Sequence, residues 1–434
     1  MKRSRIEKLI LIVLLLVLIG SGGNISCLQP GPGGGDKALK SRGTGNGGNG
    51  DSLEGTPSGG THVAGDTRTE DLIRKLEAIG YVSGTAASGN DGGVRIYDRE
   101  RVDGGFNLVL SGRGTEAQIM DMAGRELHRW VCKASRVWRD RDAGLKPGKS
   151  LDSLSPYWRR VHVLENGDLL VIFDGVGIVK LDRDSNIIWS VKNGAHHDLH
   201  VTDEGTIYLL TREAHINADY HRTKPILEDY ISVLDSDGVE LRRLSVLDCI
   251  SNSEYAPVLN RLEPWGDLLH TNTIEYLREG SGILRPGSVL ISILKLDFVC
   301  AVDLEQGSVY WGESDLWYRQ HQPTLLENGN ILLFDNRGRK QRSSVMEFNP
   351  LTREVEWSYR DEGFYSRTCG SNQRLRNGNT LITESDPGRA FEVTSGGEIV
   401  WEYINPNRAG KNKELIAILF EVARLPRDFP RFWD

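Results

Sequence analysis

Three short histidine-bearing stretches are the part of this sequence best suited to chemistry. They are His196-His197-Asp198, His270-Thr271-Asn272 and Gln320-His321-Gln322, and each stands beside a short apolar segment. A neutral imidazole can act as a nucleophile, and a protonated one can assist a leaving group or bind anionic oxygens. Because the chain has only ten histidines, three at comparable places predict one shared site.

A three-histidine metal site is the competing interpretation. Asp198 is the only carboxylate adjacent to these histidines, and the cysteines show no metal-ligand spacing. We therefore expect neither a metal nor a cofactor. A metal-dependent hydrolase ranks third among the functional hypotheses, behind the two that are given below. Buried thiols are favoured over disulfides for four widely spaced cysteines, which are Cys132, Cys249, Cys300 and Cys369.

The histidine stretches are embedded in a repeat, and the repeat predicts the fold. A turn of the type Asn-Gly-Asp/Asn and a short apolar strand begin at Asn166, Asn328 and Asn377, with looser copies at Asp203 and Trp265. A second strand follows, and it ends in a tryptophan in five of six copies, at Trp130, Trp189, Trp311, Trp357 and Trp401. The segment from Ser236 fills the same slot without one. Six such units predict an all-β, six-bladed β-propeller with the tryptophans packed between blades.

The segments on either side of the predicted propeller, residues 94–408, have other compositions. Residues 1–20 combine four basic residues with the apolar run Leu9–Ile19, which is typical of a signal peptide or a membrane anchor. Residues 21–65 form a Gly-rich disordered linker, and residues 66–93 a short helix (Asp71–Ile79) and a loop. Residues 409–434 are expected to form a C-terminal helix (Lys411–Arg424) and a tail.

The net charge of the chain limits its partners, and the N-terminal segment indicates its location in the cell. A net charge of −7 gives no basic face for nucleic acid. The first twenty residues predict an exported protein, periplasmic or otherwise extracytoplasmic, and both a cleaved signal and membrane anchoring stay open. The sequence does not predict an oligomeric state.

The ordered histidine motifs within the repeats resemble those of the bacterial arylsulfotransferase (arylsulfate sulfotransferase) family. The matching segments are HHD, HTN, QH followed by NGNILLFDN, and GSNQRLRNGNTLITE with GGEIVWEY, within about Gly105 to Asp434. The resemblance implies a periplasmic six-bladed propeller that moves a sulfuryl group from a phenolic sulfate ester to a phenol, without a nucleotide sulfate donor. It also implies a ping-pong mechanism through a sulfated histidine.

The resemblance assigns roles to particular residues. His321 matches the nucleophile, and three supporting residues match His197 (or its neighbour His196), His270 and Asn272. On this basis we expect catalysis by those four residues, and substrate binding by His196, Asn336 and Arg367. The implied partners are an aryl sulfate donor and a phenol acceptor.

One position departs from the family pattern. The family carries an arginine in the strand after the H-x-N motif, where this chain has Leu294, and strand alternation should point Lys295 away from the site. Losing a charge-assisted contact to sulfuryl oxygens lowers the rate. The candidate substitutes are Arg337, Arg339, Lys340, Arg342 and Arg367. The departure supports a second hypothesis, a propeller without turnover that binds a phenolic or sulfated ligand, or a protein, at the channel mouth.

Overall fold

The computed structural model describes residues 84–86, 92–139, 150–337, 342–409 and 414–434. They form six sheets of four or five strands, each built on four antiparallel strands and arranged as a β-propeller, so the predicted fold class is confirmed. The predicted signal or anchor (1–20), the linker (21–65) and the helix at Asp71–Ile79 lie outside the described residues. Within the described ranges, no helix is long and apolar enough to span a membrane.

Up to Asp267, the described residues form fourteen strands and three short helices. The strands are β1 Gly84–Ala86, β2 Gly93–Tyr97, β3 Gly105–Ser111, β4 Glu116–Asp121, β5 Glu126–Val131, β6 Arg160–Val163, β7 Leu169–Phe173, β8 Gly177–Leu181, β9 Ile187–Val191, β10 Ala195–Val201, β11 Ile207–His215, β12 Ile226–Leu234, β13 Glu240–Ser245 and β14 Gly266–Asp267. The helices are α1 Ala134–Val137, α2 Leu151–Leu154 and α3 Val246–Ser251, with a 3₁₀ turn at Ala256–Arg261.

From Thr271 onward, the part of the chain that the structure describes holds fifteen strands and a 3₁₀ turn at Leu294–Leu296. The strands are β15 Thr271–Leu277, β16 Ser288–Ile293, β17 Phe298–Asp303, β18 Ser308–Glu313, β19 His321–Leu325, β20 Ile331–Asp335, β21 Ser344–Phe348, β22 Val355–Tyr359, β23 Ser371–Arg374, β24 Thr380–Glu384, β25 Arg389–Val393, β26 Ile399–Ile404, β27 Arg408–Ala409, β28 Leu415–Ala417 and β29 Leu419–Pro426.

Each blade takes four strands, of which the first lines the central channel. Blade 1 is β29-β3-β4-β5, blade 2 is β6 to β9, blade 3 is β10 to β13, blade 4 is β15 to β18, blade 5 is β19 to β22 and blade 6 is β23 to β26. The strands β14 and β2 extend blades 3 and 6, and β1 pairs with β28 in a small separate sheet that also contains β27. The β1 strand therefore replaces part of the loop predicted over residues 80–93.

The C-terminal segment closes the ring as a strand, so the predicted helix over Lys411–Arg424 is wrong. β29 pairs antiparallel with β3, from Leu419 opposite Ser111 to Pro426 opposite Gly105. Without this strand, the inner edge of blade 1 would present unpaired backbone groups to the channel. The apolar residues of this segment fit the spacing of a helix as well as that of a strand. Pairing with β3 determines that the segment forms a strand.

One side-chain donor near the start of each outer strand joins its blade to the next. The acceptor is a carbonyl in the next blade's outer turn, and the pairs are His128 Nε2 to Arg183 (2.9 Å), Trp189 to Ser236 (3.0 Å), Arg242 to Glu305 (3.4 Å), Trp311 to Pro350 (3.3 Å), Trp357 to Ser395 (2.8 Å) and Trp401 to Met122 (2.9 Å). The repeat tryptophans thus join blades, as the sequence predicts. In blade 1, however, His128 holds the slot that we assign to Trp130, and Trp130 bonds to Gly167 instead.

Candidate active site

The beginnings of the inner strands converge on one small pocket in the channel. His197, Asn272 and His321 line it, as the sequence predicts, and Arg159 and Phe420 complete the wall. The cavity between them is only about 10 Å³, which is about the space of one water molecule. An aryl sulfate therefore cannot enter unless these side chains move apart, and its ring must lie outside this cavity.

Irregular backbone at the start of three inner strands sets the direction of the site residues. The pairing register shifts between Ala195 and Leu199 in β10, between Thr271 and Thr273 in β15, and after His321 in β19. His197 and His270 both have φ of 53°. Left-handed conformations strain non-glycine residues and concentrate at functional sites, and bulges re-aim side chains. The two histidines therefore adopt the same unusual conformation in successive blades.

The hydrogen bonds of His321 fix its tautomer. Its Nδ1 lies 2.7 Å from Oδ1 of Asn336 and 3.1 Å from the carbonyl oxygen of Arg319. Both partners are acceptors, so Nδ1 carries the proton and donates, and Nε2 keeps a lone pair. Burial lowers the pKa of His321 to about 3, and the positive charge of Arg159 acts in the same direction. The ring is therefore neutral near pH 7, as a nucleophile requires.

Asn336 lies behind His321 and does not line the pocket. Its amide nitrogen donates to the carbonyl oxygens of Ser366 (2.9 Å) and Cys369 (2.6 Å), which forces Oδ1 towards His321. The side chain is fully buried. Asn336 thus holds the nucleophile, and the structure does not support the substrate contact that the sequence predicts for it.

His197 and His196 form a buried pair, with their Nδ1 atoms 2.7 Å apart. Burial lowers the pKa of both rings well below the usual value, and Arg159 and His270 reinforce this. One Nδ1 must donate and the other accept, so the pair behaves as a unit. His197 faces the pocket, whereas His196 packs behind it near Asp229, 3.5 Å from Nε2 to Oδ1. His196 is placed to orient His197, and not to bind substrate directly.

His270 is positioned by a carboxylate that the sequence analysis missed. Its Nδ1 lies 2.5 Å from Oδ2 of Asp267, three residues earlier, and its ring meets that of His197 edge to face at 4.7 Å. Burial raises the pKa of Asp267, but the hydrogen bond from His270 and the electrostatic attraction of His270, Lys295 and Arg212 together outweigh it, so the pKa is lowered. An ionised Asp267 therefore holds the Nδ1–H of His270, whose ring lies against His197 and is not among the residues that line the pocket.

Asn272 connects this histidine to the nucleophile. Its amide nitrogen donates to the carbonyl oxygen of Gln320 at 2.8 Å, the residue before His321. The side chain is buried and lines the pocket. The contact ties the start of β15 to the start of β19.

Arg159, immediately before β6, is the cation that the sequence analysis missed. It is only 6% exposed, lines the pocket with His197 and His321, and stacks over the ring of Phe420 at 5.2 Å. Its position is equivalent to that of the histidines, at the start of an inner strand. The repeat register, applied to the Arg-Arg pair after Trp158, could have found it.

Of the cations that we expect to replace the family arginine, the three that the structure describes, Arg337, Arg342 and Arg367, do not line the pocket. Arg367 is exposed, and its backbone N–H donates to Asp386 at 2.7 Å. Arg337 and Arg342 also lie away from it, and Arg339 and Lys340 are outside the described residues. Leu294 lies in the 3₁₀ turn after β16, not in a strand, so the alternation argument about Lys295 does not apply.

Within the described ranges, no three His, Cys, Asp or Glu side chains are grouped as metal ligands. The four described cysteines, Cys132, Cys249, Cys300 and Cys369, are free and buried. Cys369 lies against the pocket, and burial raises the pKa of its thiol to about 11.

The fold and the site together define a propeller with a histidine-centred site at the start of its inner strands. The family model for arylsulfotransferase (ASST) matches residues 160–406, more than half of the chain, and the chain belongs to that family. The matched range begins one residue after Arg159. Family membership supports aryl sulfotransferase activity in general, with small-molecule aryl sulfate and phenol substrates.

Other comparisons gave distant likenesses. No curated protein matched the sequence. A Bacteroides caccae protein of unknown function is 13% identical (TM-score 0.47), covering 74% of this chain and 98% of its own. A streptogramin B lyase is 12% identical (0.43), covering 75% and 87%, and virginiamycin B lyase from Staphylococcus aureus is 11% identical (0.37), covering 58% and 70%. Such scores carry no functional argument.

Proposed function

We propose that this protein transfers a sulfuryl group from an aryl sulfate to a phenol through a sulfated His321. The observation that carries the proposal is the tautomer of His321. Asn336 and the Arg319 carbonyl hold Nδ1–H, so Nε2 is the nucleophilic nitrogen of a neutral, buried ring.

In the first half-reaction, Nε2 of His321 attacks sulfur, an N–S bond forms and the bond from sulfur to the aryl oxygen breaks. The imidazole ring becomes positively charged, and the two acceptors at Nδ1 stabilise that charge. The departing phenolate takes the Nε2 proton of His270, which begins the half-reaction as an imidazolium ion paired with Asp267. In the second half-reaction, a phenol gives its proton to His270 and attacks sulfur, and His321 leaves as a neutral ring.

Three neighbouring groups are suited to the sulfuryl oxygens. Arg159 supplies a cation, Asn272 an amide, and His197 an Nε2–H when its Nδ1 accepts from His196. Preorganised donors in a dry site stabilise developing charge much better than water does. Arg159 thereby compensates for Leu294 at the family's arginine position, which favours turnover over the alternative of a propeller that only binds ligand.

We also propose that the protein works outside the cytoplasm, and that residues 1–20 export it, whether they are cleaved or retained as an anchor. The basis is the basic cluster followed by the apolar run Leu9–Ile19. Fractionation of cells that express the full chain tests this, with accumulation in the cytoplasm as the contrary result.

Steady-state kinetics on the full chain test the transfer. With p-nitrophenyl sulfate as donor and phenol as acceptor, nitrophenol and phenyl sulfate should form in equal amounts, with parallel lines in double-reciprocal plots. His321→Ala should abolish both products. Nitrophenol release without phenyl sulfate would indicate a hydrolase. If the folded protein forms neither product, the alternative hypothesis of a propeller that binds ligand without turnover is favoured.

A further inference from the structure

Two cavities lie one behind the other in the central channel. The site pocket holds about 10 Å³, whereas a second cavity of about 960 Å³ opens among exposed residues of the β19–β20 and β23–β24 turns, including Glu327 and Arg376. Arg160, Gln322 and Ser371 line both cavities and therefore form the boundary between them. A partly polar space of that size with an open rim admits many water molecules. The boundary thus separates the site pocket from water.

Arg160 spans the channel at this boundary. It begins β6 in blade 2, and its Nη2 donates to Oε1 of Gln322 in blade 5 at 2.9 Å. Blades 2 and 5 are opposite each other in a ring of six, so this bond crosses the channel instead of following its wall. The same guanidinium donates through Nε to Asp198 of blade 3 at 2.6 Å, and through Nη1 to Glu421 of blade 1. One side chain therefore joins four blades.

Further hydrogen bonds join the remaining neighbouring blades, and we call the complete ring of bonds the belt. The pairs, from blade 3 round to blade 1, are Asp198 Oδ2 with the N–H of Ile274 (3.1 Å), Thr273 Oγ1 with the N–H of Gln322 (3.0 Å), the Gln322 carbonyl with Nδ2 of Asn372 (3.0 Å), and the Gln373 side chain with the backbone N–H and carbonyl of Arg424 (2.7 and 3.1 Å). With the bonds of Arg160, every blade is joined to both of its neighbours around the channel.

The belt lies directly against the site pocket. In five blades, a belt residue immediately follows a residue that lines the pocket. These pairs are Arg160 after Arg159, Asp198 after His197, Thr273 after Asn272, Gln322 after His321, and Glu421 after Phe420. An opening in the belt would therefore lead straight to the nucleophile.

The surroundings of Arg160 keep it charged and in place. Burial lowers its pKa, but the attraction of Asp198 and Glu421 outweighs burial, so the pKa is raised. Its side chain is only 11% exposed. Each of its three bonds is charge-assisted, and the planar guanidinium fixes their directions. Arg160 is thus held firmly across the channel.

The sulfated form of His321 is the species that requires a closed channel. Water can replace phenol as the acceptor: its oxygen bonds to sulfur, and the N–S bond breaks with its electron pair returning to Nε2. One proton of the water passes to solvent, and the products are neutral His321 and hydrogen sulfate. Excluding water from a reactive intermediate prevents such a side reaction.

We propose that Arg160 and the belt seal the site pocket from the water of the second cavity, and that this seal directs the sulfuryl group to phenol instead of water. The inference rests on the proposed function. Arg160 is a positioning residue in this role, since its three side-chain bonds go to other residues of the belt.

The division of product between phenyl sulfate and inorganic sulfate tests the seal. The full chain is incubated with p-nitrophenyl sulfate and phenol, and the wild type should form phenyl sulfate in nearly the amount of nitrophenol. Arg160→Ala should raise the ratio of sulfate to phenyl sulfate about tenfold or more, because water then reaches sulfated His321. Arg160→Met should raise the ratio much less, since its side chain fills most of the gap. Both variants lose the same charge and differ in volume.

Two controls separate the seal from other effects. Arg376→Ala removes an arginine from the exposed rim of the second cavity and should keep the wild-type ratio. Loss of Arg160 leaves two carboxylates without their cation, which is destabilising. The alanine and methionine variants are therefore also compared in a Glu421→Gln background, where one of these carboxylates is absent, and melting temperatures show which variants fold.

The outcomes distinguish this inference from the proposed function. A wild-type ratio in Arg160→Ala, or equal ratios in Arg160→Ala and Arg160→Met, overturns the seal, while phenyl sulfate formed by the wild type still supports the transferase. A wild type that forms no phenyl sulfate overturns both.

Discussion

The Nδ1 atom of His321 donates to Oδ1 of Asn336 across 2.7 Å, and the Asn336 amide is itself held by two carbonyl oxygens. The amide cannot rotate without losing both bonds. The chain therefore determines which nitrogen of His321 faces the pocket, and a positioning residue outside the pocket controls the nucleophile.

Replacing Asn336 by aspartate should shift the acidic limb of the activity profile. A carboxylate beside Nδ1 stabilises imidazolium and raises the pKa of His321 from about 3 by roughly 1 to 3 units. Activity should then fall at a higher pH than in the wild type, because protonated His321 cannot attack. The profile of kcat/KM against pH measures this. Asn377→Asp, in an exposed turn, should keep the wild-type profile, and an unshifted limb in N336D would contradict the assignment.

Arg159→Gln should lower kcat/KM for aryl sulfate by about 10²- to 10³-fold, which is the usual effect of losing one preorganised oxyanion donor. Arg159→Lys should retain part of the activity, since the charge remains but the planar fork is lost. Arg367→Gln serves as the control, because that exposed side chain lies away from the pocket. If R159Q and R367Q have equal activity, Arg159 does not contact the sulfuryl group.

Trp401→Phe should destabilise the propeller by about 1–3 kcal/mol. The indole of Trp401 is fully buried, and its N–H bonds to the Met122 carbonyl, which joins blade 6 to blade 1 where the ring closes. Chemical denaturation gives the free energy of unfolding. Trp265→Phe, at a tryptophan that is 45% exposed, should change it by less than about 0.5 kcal/mol. Equal effects would show that the blade-to-blade bond contributes little.

Glu275 should make stability depend on pH between about 4.5 and 8. Its pKa is about 8 in the folded protein against 4.5 ordinarily, so the folded state binds the extra proton in this window. Its contribution is present below about pH 4.5 and is lost as pH rises through about 8. The wild type should therefore lose stability relative to Glu275→Gln as pH rises across the window. A constant difference between the two unfolding free energies would contradict a raised pKa.

The propeller could be predicted because its turns and strands repeat, and a repeat of sheets has few architectures. The ring closure could not, because the residues around Phe420 read as a helix by local spacing, and their strand partner β3 lies about three hundred residues earlier. The outer-strand position whose side chain joins one blade to the next could be recognised in the sequence wherever a tryptophan occupies it. His128 and Arg242 fill it with other donors, which a residue-type pattern does not show.

Part of the site could be predicted because its histidine motifs occur in a fixed order along the repeats. His197, Asn272 and His321 meet at one pocket, with His270 against His197. The roles of His196, Asn336 and Arg367 were not predictable, because whether a side chain faces the pocket depends on bulges and on turn paths. Arg159 was missed because an arginine pair at a strand start has no special pattern by itself.

Intact-mass analysis with peptide mapping, after incubation of the full chain with p-nitrophenyl sulfate, tests the central claim most directly. The account predicts one added sulfuryl group, located on His321, absent from His321→Ala and discharged by phenol. Sulfation of another residue, or turnover with no sulfated enzyme in a rapid quench, would contradict it.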